Sequence, residues 1–104
     1  MTDYPLTVIK AVERFESEMP EPNKNILKNT PRDKLEILHL TLGVWIRDNF
    51  GLGTGENEKL LYSCAENSDT EYVYPDIGMA FMHPDDASMI IIQALWERLN
   101  KKDI

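Results

Sequence analysis

The segment TPRDKLEILHLTLGVWIRDNFG, residues 30–51, carries a helix signal at each end and apolar residues throughout. Thr30 is a helix-capping residue, and Pro31 suits a first helical position, where its missing N–H would have had no partner anyway. Asp33 complements the positive end of the helix dipole, and Gly51 can take the left-handed conformation that ends a helix. Between them Leu35, Ile37, Leu38, Leu40, Leu42, Val44, Trp45, Ile46 and Phe50 run nearly all the way round. A helix that is apolar on every side belongs inside a fold. The sequence therefore predicts one helix over residues 33–50, acting as a spine.

Outward from that spine, the apolar spacing predicts further helices. Over residues 6–19, Val8, Val12, Phe15 and Met19 share one face. Pro20 and Pro22 then stop the helix, since proline lacks a donor and crowds the preceding turn. A short helical turn over 23–28 would point Ile26 and Leu27 inward. Residues 57–67 read as a helix capped by Asn57, with Leu60, Leu61 and Cys64 on one side. Residues 68–82 resist assignment: Tyr72-Val73-Tyr74 is strand-like, yet Pro75 follows at once, so a small hairpin or an irregular loop is expected. His83-Pro84-Asp85-Asp86 opens a last helix to about residue 101, with a core stripe of Ser88, Ile91, Ile92, Leu95, Trp96 and Leu99. The expected fold is all-α: a single domain over 1–104, a bundle of four to five helices with an irregular acidic segment before the last.

The length of 104 residues suits one core, and a hydrophobic content of 42% suits a folded domain. No apolar run approaches the ~20 residues that cross a bilayer, and Met1 to Lys10 lacks the pattern of a signal peptide, so cytoplasm is the expected location. Cys64 is the one cysteine. It cannot form an internal disulfide, and its helical, apolar neighbours predict a buried, inert thiol. The formal net charge is −7, which argues against binding nucleic acid or anionic lipid. That charge is unevenly placed. Residues 48–86 hold nine acids and one base, net −8, whereas the rest holds nine acids and ten bases, net +1.

Two stretches together, LHLTLGVWIRDNFGL at 38–52 and HPDDASMII at 83–91, resemble a family of small bacterial proteins of unknown function. The resembling features are an LGxWIRxN-aromatic-GL helix end and an HPDDxSxI helix start. The resemblance covers roughly residues 6–100 and implies a small helical fold with no established enzyme activity; residues 60–82 look particular to this chain.

Three constellations are candidates for chemistry. His83, Asp85 and Asp86 carry metal-ligand groups, but these positions also cap a helix and offset its dipole, which accounts for them fully. Glu36, His39, Gly43 and Arg47 share a narrow stripe that reads either as an acid/base or ligand site, or as structure. In the structural reading Arg47 ties a loop carbonyl or carboxylate and Gly43 admits a crossing helix. The glycines at 51, 53 and 55 follow a helix rather than a strand and lie among acids, so they are read as a connector and not as a phosphate loop.

The acidic segment carries the functional expectation. Its carboxylates are interleaved with Tyr62, Tyr72, Tyr74 and Phe81, and aromatic anchors inside a charged field are what a protein-binding surface uses. Glu56, Glu58, Tyr62, Glu66, Asp69, Glu71, Tyr72, Tyr74 and Asp76 are the expected partner-binding residues. The partner is expected to be a basic protein, with no catalysis, cofactor, metal, nucleic acid or membrane involved. By analogy with acidic bacterial proteins of this size, the concrete form is an immunity protein that neutralises a toxin such as a basic nuclease. The alternatives are an adaptor or regulatory subunit without a toxin, and a metal-binding protein or enzyme using His39, Arg47, His83 and Asp86.

Overall fold

A computed structural model describes residues 4–67, 73–74, 79–80 and 83–101. The fold is all-α. Its elements are α1 (Val8–Glu18), α2 (Glu21–Asn29), a 3-10 helix (Arg32–Leu40), α3 (Leu42–Asn49), α4 (Glu58–Glu66) and α5 (Pro84–Lys101). Between α4 and α5, β1 (Val73–Tyr74) and β2 (Met79–Ala80) form a two-residue antiparallel ladder that packs on α4. None of the helices described is long and apolar enough to cross a membrane.

Helix α1 forms where the spacing placed it. The Thr7 side chain accepts the Lys10 N–H at the cap, and Val8, Val12 and Phe15 are buried together with the following Met19. Helix α2 is longer than the expected turn, because Pro22 sits in its first turn, where a missing donor costs nothing. On so short a helix one stripe faces inward. Leu27 takes it, and Ile26, about 100° further round, is 62% exposed and not inward as expected.

The expected spine is where the sequence reading and the structure part. Residues 32–50 do not form one helix: the chain winds as a 3-10 helix to Leu40, breaks at Thr41 and resumes as α3. Thr30 does not cap this segment. Its hydroxyl donates back to the Ile26 carbonyl at 2.6 Å, closing α2, and Pro31 occupies the cap position. At the break, the Thr41 N–H and hydroxyl both reach the Leu38 carbonyl, at 3.1 and 3.3 Å. This three-residue closure replaces the four-residue bond of an α-helix. The tighter winding also gains length: nine residues span about 18 Å at the 3-10 rise, against about 13.5 Å as α-helix.

Helix α5 is the true spine. It packs against α1, α2, the 3-10 helix, α3 and α4. Ala87, Ser88, Ile91, Ile92 and Leu95 are fully buried along it, and Leu99 is nearly so. Trp96 is partly buried and donates its indole N–H to the Thr30 carbonyl at 2.8 Å, pinning the end of α2 to α5. Phe15, Trp45 and Phe50 form an aromatic row, the first pair stacked and the second edge-on, each with ring centroids 5.4 Å apart. Gly51 ends this region with φ +73°, and the Tyr4 ring lies so close that an added Cβ would sit 2.6 Å from it. Asn57 caps α4 through its Oδ1. Its amide also donates to the Pro5 and Phe50 carbonyls, both at 2.8 Å, which ties three segments together.

Candidate functional site

Two constellations that are separate in sequence converge on one place. Helix α3 presents Arg47, and the N-terminal end of α5 presents Asp85 and Ser88 opposite it. The Arg47 Nη1 lies 3.2 Å from Asp85 Oδ1 and donates to Ser88 Oγ at 3.2 Å. Ser88 Oγ in turn donates to the Asp85 carbonyl at 2.8 Å. His39 Nδ1 approaches the same guanidinium nitrogen at 3.5 Å. The Arg47 side chain is only 16% exposed, so these partners replace water it has lost. Here Arg47 faces the positive end of α5, which the dipole disfavours; the Asp85 carboxylate offsets that cost.

Gly43 sits where α3 and α5 approach closely. A Cβ there would lie 3.1 Å from Arg47 Nη1, 3.2 Å from Ser88 Oγ and 3.6 Å from His39 Nδ1. The contacts of His39, Gly43 and Arg47 are those of the structural reading: the arginine ties a carboxylate, and the glycine lies against the crossing helix. His83 works in the same way. Its Nδ1 accepts the Asp85 N–H at 3.0 Å, which caps α5, and lies 3.7 Å from Asp85 Oδ2. Among the described residues no three His, Cys, Asp or Glu side chains come together to hold a metal. The sequence places Ser88 in the core stripe of α5 but does not show its bond to Arg47. A hydroxyl inside an apolar stripe must find a partner when buried, and that need was the available signal.

Beside this cluster lies an open groove of about 490 Å³, lined by Glu36, Ile37, His39, Asp85, Asp86 and Met89. Glu36, the remaining member of the stripe, thus faces solvent together with Asp86 rather than joining the Arg47 contacts.

The acidic segment is distributed over several elements. Glu56 precedes α4 and accepts the Tyr4 hydroxyl at 3.1 Å. Glu58 and Glu66 are exposed on α4 and Tyr62 is half-buried. At four-residue spacing the three occupy one side of the helix, opposite Leu60 and Cys64. Asp85 and Asp86 belong instead to the start of α5. Asp69, Glu71, Tyr72, Asp76 and Phe81 lie outside the described residues, and of Tyr74 the backbone ladder alone is described. Cys64 is fully buried, and burial pushes its thiol up to about 12. It is a core residue and not a nucleophile at neutral pH.

A family model described as a domain of unknown function (DUF6794) matches residues 4–99, and the chain belongs to that family. No curated protein matches the chain, and no solved structure does.

Proposed function

For this member of a domain family of unknown function, we propose stoichiometric binding of a basic protein through the outer side of α4. The observation that supports it is the Glu58–Tyr62–Glu66 row. Glu58 and Glu66 are exposed and make no ion pair with any described residue, while the tyrosine between them is half-buried. Unpaired carboxylates steer a cationic partner, and the ring supplies an anchor that can be buried on contact. In its concrete form the partner is a toxin domain, such as a nuclease, and the chain an immunity protein whose carboxylates occupy the field meant for phosphates. An adaptor subunit would use the same face for a different basic protein.

The test is to capture the partner with tagged protein, identify it by mass spectrometry, and measure binding over a salt series. Glu58→Lys with Glu66→Lys should slow association about tenfold at low salt and flatten the salt dependence, leaving thermal unfolding unchanged. Unchanged kinetics in that variant would remove α4 as the binding face. A captured protein that is acidic would overturn the charge argument itself.

A further inference from the structure

The 3-10 winding of Arg32–Leu40 has a consequence for the surface. At three residues per turn, side chains three apart stack in columns. Leu35 and Leu38 form the inward column, with Leu35 buried and Leu38 packed on the core. Asp33, Glu36 and His39 form a second column, and Glu36 and His39 line the groove with Asp85, Asp86 and Met89. Lys34, Ile37 and Leu40 form the third, which faces out.

Ile37 is 67% exposed and Leu40 is 76% exposed; Val44, one turn further in α3, is 40% exposed. Single exposed aliphatics are ordinary, but two that stack one turn apart, with half-buried Met89 lining the groove beside Ile37, make a strip. Its rim is acidic. Asp33, Glu36 and Asp86 make no ion pair with any described residue, whereas Asp85 is held by Arg47. Lys34 is the one cation in the outward column and sits at its head.

We propose that this strip and groove form a docking surface for an amphipathic, basic segment of a partner protein. Aliphatic side chains of that segment cover Ile37, Leu40 and Met89, and its lysines or arginines reach Glu36 and Asp86. The charge selects this occupant. A second copy of the chain, net −7, would set one acidic rim against another, and an anionic membrane would meet the same carboxylates. The surface is separate from the α4 row and does not depend on it.

The probe is a short synthetic helix with a leucine stripe flanked by lysines, and a matched peptide flanked by glutamates. Each is titrated into the isotope-labelled full chain and followed by amide chemical shifts. The lysine peptide should perturb Ile37, Leu40, Val44 and Met89, and the glutamate peptide should not. Leu40→Gln, and separately Glu36→Lys with Asp86→Lys, should each weaken binding about tenfold while thermal unfolding stays unchanged. The second variant should also flatten the salt dependence, and Glu58→Lys with Glu66→Lys should leave this binding intact. Equal binding of both peptides, or shifts confined to α4, would overturn the proposal. So would self-association in sedimentation that Leu40→Gln abolishes, since a second copy would then be the occupant.

Discussion

Arg47 Nη1 and Asp85 Oδ1 lie 3.2 Å apart, joining α3 to the first turn of α5 across the centre of the candidate site. The pair sits at the protein–water boundary: the arginine is largely enclosed while the Asp85 side chain is 45% exposed. Solvent screening therefore limits its strength, and the Ser88 hydroxyl supplies part of what holds the guanidinium. Arg47→Met should cost about 1–2 kcal/mol in urea unfolding, and Asp85→Asn less. Combining them should give less than the sum, because the two changes remove one shared contact. Additive losses would show that the contact contributes nothing to stability.

At Gly43 two effects oppose each other. Alanine is favoured in a helix by about 1 kcal/mol. Its methyl, however, would press on Ser88 Oγ, which is fully buried and already bonded on both sides. The Arg47 end can swing away; the serine cannot without leaving a donor or an acceptor unpaired. Gly43→Ala should therefore lower the melting temperature, and Gly43→Val should lower it further. Adding Ser88→Ala to Gly43→Ala should recover part of the loss, a reversal that a general intolerance at Gly43 would not produce.

Asn57 is buried and uses its amide on two backbone carbonyls and its oxygen on the Leu60 N–H. Asn57→Ala leaves all three without a partner, and a loss of about 2–4 kcal/mol is expected. Asn57→Asp keeps the capping oxygen but sets a carboxylate against the Pro5 and Phe50 carbonyls. It should be less stable than the alanine variant at pH 7 and should regain stability as the pH falls, the reverse of ordinary acid denaturation. Urea titrations of both variants at two pH values would decide it.

The buried Cys64 thiol gives an alkaline signature. Its folded value, about 12, lies above the ordinary 9.0, so between these the unfolded chain loses the proton that the folded chain keeps. The stability contributed by the neutral thiol is complete below about pH 9 and is lost as the pH rises, by roughly 1.4 kcal/mol per pH unit. Wild type should therefore lose stability more steeply than Cys64→Ala from pH 8.5 to 10.5, to an extent that denaturant melts at each pH would register. Parallel slopes would mean that the thiol ionises in the folded protein. Thiol reagents should also label native protein far more slowly than unfolded protein.

The site was half legible from sequence. The stripe ending in Arg47 and the turn opened by His83 both stood out, because spacing and helix-start chemistry are local. Their meeting did not, because nothing local says that Gly43 lies under Ser88. Ile37 and Leu40 face outward, against the sequence expectation, for a related reason. At α-helical spacing an all-round apolar segment belongs in the centre, whereas in 3-10 winding the same residues sort into one buried and one exposed column.

Where most helices begin and end, the inward stripes of α1, α4 and α5, and the burial of Cys64 can all be read from the order of residues. Those follow from caps, prolines and three- or four-residue spacing, which act within a turn or two of chain. That α5 and not residues 33–50 is the spine, that Thr41 breaks the earlier segment, and that Arg47, Asp85 and Ser88 share one set of bonds came from packing. These depend on which faces are buried against which, and that balance is struck between elements far apart in the chain.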